Sequence, residues 1–244
     1  MYHVFVSDKP IVLTNIVEKE SGFKNYLLDS VSISKVINSL LTLKLVDKKK
    51  LKLDEDINQY LTEWKVEENG FTKNNPVTLR KILSHTAGFS VHGFADYLPE
   101  ESLPTTLQIL KGEKPAKNEK VEVIFPVGSK SKYSGGGITV IQKIIEEVTG
   151  LPYHEAARQL LFDPLKLKRT SYENPLPPSF QNVAKAHDES GNPIALPRGY
   201  QAMPEMAASG CVRHRPLSTC TDTERQRFTC GGGGGDDDDD DDDD

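Results

Sequence analysis

Ser32 and Lys35 are the residues of this chain whose types and spacing best suit chemistry. A serine hydroxyl becomes a nucleophile when a nearby base takes its proton. On a helix, an amine three residues further along returns to the face that carries the hydroxyl. The pair therefore suits acyl transfer, with Ser32 attacking a carbonyl carbon. Two other S-x-x-K spacings occur, Ser21–Lys24 and Ser129–Lys132, and neither opens an apolar helix. Chance alone supplies roughly one such spacing in a chain of this composition. On its own the spacing favours an ordinary helix cap and a solvated first-turn lysine, and the rest of the chain has to decide.

The pair must be positioned by the stretch that follows it. Val36, Ile37, Leu40, Leu41 and Leu45 stand at helical spacing, which predicts a helix over residues 36–46. Ser32 is expected at its entrance as the capping residue. The positive end of that helix would stabilise an alkoxide forming there. Upstream, residues 2–6 and 11–17 read as a hairpin around a Ser-Asp-Lys-Pro turn. Downstream, Asp54 is expected to cap a short helix running to Leu61, and residues 78–84 form another, ended by His85-Thr86-Ala87-Gly88. A third is expected near residues 105–110.

Lys132-Tyr133-Ser134-Gly135-Gly136-Gly137 then leads into a helix with Ile138, Ile141, Ile144, Ile145 and Val148 on one face and Gly150 as its stop. An amphipathic helix over 153–161 ends at Asp163-Pro164. Residues 170–198 read as a long excursion with one strand, and 203–210 as a compact turn of small residues.

Composition excludes several classes. The formal charge of −6 is more than accounted for by the nine aspartates Asp236 to Asp244. Lysines are dispersed among acids rather than interleaved with aromatics, so no nucleic-acid partner is expected. No apolar run is long enough for a membrane-spanning helix. The N-terminus lacks the basic start of a secretory signal, and the compartment is not legible. His85, His92, His154, His187 and His214 lack metal-ligand spacing, so no metal or cofactor is expected. His92, like the other dispersed histidines, reads as surface or packing, and Trp64 as packing. The cysteines Cys211, Cys220 and Cys230 all follow Gly210, where the apolar pattern also dissolves. A glycine run and the aspartates close the chain as a solvated tail.

Taken together, five stretches in order resemble the serine β-lactamase / penicillin-binding family, and within it the class C-like branch with its esterases and D-aminopeptidases. They are Ser32-Ile33-Ser34-Lys35 with its helix, Thr78 through His85-Thr86-Ala87-Gly88-Phe89, Phe125-Pro126-Val127-Gly128 with Lys132-Tyr133-Ser134-Gly135-Gly136-Gly137, Asp163-Pro164-Leu165, and Pro204 to Gly210.

The resemblance implies an α+β, β-lactamase/transpeptidase-like fold, with the helical region largely present and the antiparallel sheet incomplete. It divides the chain into a lead-in (1–31), a hydrolase domain (32–210) and a non-family tail (211–244). It implies Ser32 as nucleophile, Lys35 and Tyr133 as its proton-transfer partners, and Ser134 and Gly135 against the substrate. Which of Lys35 and Tyr133 is the base stays open. His85 is implied to hold its loop rather than to act on substrate. Gly135 stands where the family's tyrosine motif usually has asparagine. The stretch after Gly210 lacks the family's later strand with Lys/His-x-Gly, so the sheet is expected to keep only its N-terminal hairpin and activity to be weak. The partner implied is a small-molecule or peptide substrate carrying a β-lactam, D-amino-acid peptide or ester bond. The competing reading is a non-catalytic relative that binds such ligands. Oligomeric state is not legible.

Overall fold

The computed structural model describes residues 3–6, 9–12, 27–29, 31–95, 97, 101–174, 176–177, 179–180, 183, 190, 204–210 and 212–214. Its strands are β1 (His3–Val6), β2 (Lys9–Val12), β3 (Leu27–Asp29), β4 (Thr170–Ser171) and β5 (Val212–His214). Its α-helices are α1 (Ser34–Asp47), α2 (Leu79–Leu83), α3 (Thr106–Lys111), α4 (Gly135–Thr149), α5 (Tyr153–Ala157) and α6 (Met206–Ser209). A 3-10 turn, Val31–Ile33, precedes α1, and a π-helical turn, Arg158–Phe162, continues α5.

The centre of the molecule is α4. Ile138, Val140, Ile141, Ile144 and Ile145 are each at most 2% exposed, and Gly135 through Ile145 are buried all round. Such a helix is a core element rather than a surface one with a single apolar stripe. Ser134 caps its start by accepting the Gly137 N–H at 3.0 Å. Gly150 ends it in the left-handed conformation at φ 69°, which glycine adopts without a Cβ clash. Helices α1, α2, α3, α5 and α6 all pack against or around it.

The first helix is rotated from its expected setting. Its buried residues are Ser34, Lys35, Asn38, Leu41, Thr42 and Leu45, whereas Val36 and Leu40 are 61% and 51% exposed. The period is helical, but the inward face is largely polar. Two hydrogen bonds serve it there: Tyr153 Oη donates to Asn38 Oδ1 at 2.9 Å, and Thr42 Oγ1 donates to the Asn38 carbonyl at 2.8 Å. Tyr172 Oη ties down the helix start by donating to the Ser34 carbonyl at 2.7 Å. The outer face, with Leu40 and Ile37, joins Leu161, Leu165 and Leu167 in an apolar groove of about 430 Å³. A stability comparison checks this setting. Leu41→Ala, at a fully buried position, is expected to cost about 2–5 kcal/mol in urea denaturation. Leu40→Ala, half exposed, is expected to cost less than about 1 kcal/mol.

Four further expectations are corrected. Ser32 is not a cap; it lies inside the 3-10 turn, and the residue flanking α1 is Ile33, with no side-chain cap. Asp54 instead pairs with Arg80 at 2.7 Å, and Asp56 caps the turn Ile57–Gln59 through the Asn58 N–H. Lys9 and Pro10 belong to β2 rather than to the turn, in the register His3↔Val12. The sheet also keeps more than the hairpin. β3, β5 and β4 form a second antiparallel sheet in that order, with Arg213 opposite both Leu28 and Thr170. Its middle strand falls directly after the expected domain limit at Gly210. The expected strand residues 13–17 and most of the 170–198 excursion lie outside the described residues.

Candidate active site

Ser32, Lys35 and Tyr133 meet. The Ser32 Oγ and Tyr133 Oη share a hydrogen bond of 2.7 Å, across 101 residues of sequence. Lys35 Nζ donates to Ser32 Oγ at 3.2 Å and to the Ala208 carbonyl at 2.8 Å. It also lies 4.8 Å from the centre of the Tyr133 ring, within cation–π range. Lys35 is 9% exposed, while Ser32 is open to solvent. A hydroxyl that solvent can reach, held between a phenol and an amine, is the arrangement an activated nucleophile requires.

The 3-10 turn makes this possible. It places Ser32 one step outside α1, so its side chain is not spent on capping and can turn toward Tyr133. Lys35, one turn on, comes in underneath. On the other side, the segment 85–92 crosses the start of α4 and fixes the strip around Tyr133. Lys132 N–H donates to the His85 carbonyl at 2.8 Å, Gly135 N–H to His92 at 3.0 Å and Gly136 N–H to Val91 at 3.0 Å. The glycines allow the approach. A Cβ at Gly136 would stand 3.0 Å from the Val91 Cβ and 3.1 Å from the Ser90 carbonyl oxygen.

Ser134 and Gly135, implied to lie against the substrate, stand at the start of α4. Ser134 is 3% exposed; its hydroxyl donates to the carbonyls of Ser90 and Val91 and accepts from Gly137. Gly135 is buried against the Phe94 ring. Both build the start of α4, where capping and loop packing use their polar groups.

Three contributors are not singled out as site residues by the sequence. The Ala208 carbonyl is a backbone atom and leaves no trace in residue type. Gln142 holds the turn that supplies it: its Oε1 accepts from Ala207 N–H at 3.0 Å, and its Nε2 donates to the Pro204 carbonyl at 3.3 Å. His92 lies against Tyr133, with ring centroids 4.9 Å apart. Among the described residues no group of His, Cys, Asp and Glu is arranged to hold a metal, and no helix is long and apolar enough to cross a membrane.

His85 also touches Tyr133, at 4.7 Å between centroids, and its Nδ1 accepts the Ser134 N–H at 3.3 Å. That bond requires Nδ1 to be unprotonated. Burial, and after it the Lys35 cation, push the His85 pKa below the ordinary imidazole value. The sign of the pH effect follows. Below about pH 6.5 the unfolded chain binds a proton that the folded one resists. The stabilisation is therefore complete above that pH and is lost as pH falls through the folded value. His85→Asn removes the titration and tolerates the φ of 56° found there. The wild type's advantage over this variant in Tm is expected to be largest at pH 7 and to shrink toward pH 5.

A family model described as Beta-lactamase matches residues 25–235, running past Gly210. Among curated proteins, the teichoic acid D-alanine hydrolase of Staphylococcus aureus is 27% identical over 164 residues, 65% of this chain and 36% of that protein. Among solved structures, an octameric penicillin-binding protein homologue from Pyrococcus abyssi superposes with a TM-score of 0.61 at 21% identity, over 78% of this chain and 43% of the other. A D-amino acid amidase from Ochrobactrum anthropi SV3 gives 0.61 at 20% identity, over 79% and 53%. At such identities the likeness shows the fold: β-lactamase/transpeptidase-like, α+β, with a helical region and few strands. The chain spans about a third of the length of the curated relatives and about half that of the solved ones.

Proposed function

This chain belongs to the Beta-lactamase family, and we propose that it is a serine hydrolase that forms an acyl-enzyme on Ser32. The observation that carries the reading is the solvent-reachable Ser32 Oγ, 2.7 Å from the Tyr133 phenol and 3.2 Å from the Lys35 amine.

In the proposed reaction Tyr133, the nearer partner, reacts as its phenolate and takes the serine proton as the Ser32 oxygen attacks a carbonyl carbon. The tetrahedral intermediate collapses, the bond to the leaving group breaks, and the leaving group carries that proton away. Water then attacks the ester on Ser32 and releases a carboxylic acid and the free serine. Lys35 keeps the Ser32 oxygen in place and offsets negative charge on the phenol oxygen from beside the ring. The positive end of α1, adjacent to Ser32, favours the oxyanion. The names of the relatives, a D-alanine hydrolase and a D-amino acid amidase, support esters and amides of D-amino acids as the first substrates to try, with β-lactams and simple esters next.

The test is covalent labelling. A fluorophosphonate and a fluorescent penicillin are incubated with the protein, and the labelled peptide is identified by mass spectrometry. Modification at Ser32 is the expected result. An unmodified Ser32 with either probe, in folded protein, favours the ligand-binding reading.

A further inference from the structure

We propose that His92 is a positioning residue for Tyr133, holding the phenol oxygen on the Ser32 hydroxyl. This inference rests on the hydrolase reading of the site.

Three observations carry it. First, the Tyr133 ring is in contact with two imidazoles, His85 at 4.7 Å and 33° between planes and His92 at 4.9 Å and 45°. Second, the two histidines differ in what else they do. His85 is half buried, and its Nδ1 is committed to the Ser134 N–H. His92 is exposed, so its ring lies on the solvent side of the tyrosine it touches. Third, the backbone that carries His92 is anchored. Its carbonyl accepts Gly135 N–H at 3.0 Å, and the preceding Val91 sits at φ 55° with its carbonyl accepting Gly136 N–H. A left-handed valine is held only where its surroundings over-determine it.

The mechanism is steric. Tyr133 has one polar atom, and that atom must stay within hydrogen-bond reach of Ser32. The ring pivots about two side-chain torsions, and the final one, between sp³ and sp² carbons, is broad. His85 and Lys35 restrain the ring from the protein side. His92 closes the side that water would otherwise occupy. A ring contact of this kind is enough to bias the population of the productive setting by roughly 3–10-fold. Because the phenol acts in proton transfer, the bias enters the acylation step rather than substrate binding.

The experiment combines variants with two readouts. His92→Ala is expected to lower the maximal rate of Ser32 acylation by the fluorescent penicillin roughly 3–10-fold with the half-saturating concentration unchanged, and His92→Phe to restore it to within about 2-fold. In a Tyr133→Phe background, His92→Ala is expected to have no further effect, since no phenol is left to position. The second readout needs no turnover. In protein carrying ¹³C-labelled tyrosine, the Tyr133 ring resonance, assigned by its loss in Tyr133→Phe, should shift in His92→Ala and return toward its position in His92→Phe. An acylation rate unchanged in His92→Ala, an equal loss in the Tyr133→Phe background, or an unmoved resonance overturns the inference. Wild-type protein that fails to label at Ser32 overturns the hydrolase reading instead, and the resonance then decides the contact by itself.

Discussion

Ser32→Ala is expected to abolish covalent labelling while leaving the protein folded. No other hydroxyl in the described site stands within reach of both Lys35 Nζ and the Tyr133 phenol. Loss of the nucleophile from a serine hydrolase costs on the order of 10⁶ in turnover, because the remaining groups cannot form the acyl-enzyme. Stability should change little. Ser32 is exposed and caps no helix, so its two partners, Tyr133 and Lys35, each exchange a hydrogen bond for water, within about 0.5 kcal/mol. The checks are intact-protein mass after incubation with fluorophosphonate and a urea denaturation curve beside the wild type. Labelling of Ser32→Ala at the wild-type rate would place the nucleophile elsewhere in the chain.

Tyr133→Phe and Lys35→Met are expected to separate chemistry from architecture. Phenylalanine keeps the ring against His85, His92 and Lys35 and removes only the oxygen 2.7 Å from Ser32. Acylation should fall by roughly 10²–10⁴, the usual worth of a positioned proton acceptor. The half-saturating concentration and the Tm should hardly move. Methionine at position 35 fills similar space but withdraws two N–H bonds, one to Ser32 and one to the Ala208 carbonyl. That variant should lose activity on the same scale and also about 1–3 kcal/mol of stability, because the Ala208 oxygen is left buried without its donor. Saturation kinetics of labelling and urea titrations on both variants give the four numbers. If Tyr133→Phe acylates normally while Lys35→Met does not, the amine and not the phenol takes the serine proton.

The helical part of the fold was readable because its signals are local. Thr78 and Thr105 cap α2 and α3 where a threonine precedes an apolar run, and Thr105 with Gln108 completes a capping box. Gly150 stops α4 where a glycine follows a periodic stretch. The sheet was harder to read. In the second sheet β3, β4 and β5 are three residues or fewer, too short to show alternation, and β5 lies in a stretch with no apolar period at all. Such strands are specified by pairing with remote segments, which a local pattern does not record. The orientation of α1 was hidden for a related reason. Its apolar residues mark a stripe, but the face turned inward carries Ser34, Lys35, Asn38 and Thr42, and the first three meet Tyr172, Ala208 and Tyr153, all far along the chain.

The residue types and their order determined which chemistry is available here: a serine, a lysine one helical turn on, and a tyrosine ahead of three glycines. Those are covalent facts, and the local geometry of the 3-10 turn running into α1 brings the first two together. Only the tertiary structure decided that the tyrosine joins them, that the Ala208 carbonyl holds the lysine, and that the Ser134 hydroxyl caps α4. The reason is distance along the chain: a hydrogen bond across 101 residues exists only once α4 is packed against α1 and the 85–92 segment has closed over its first turn.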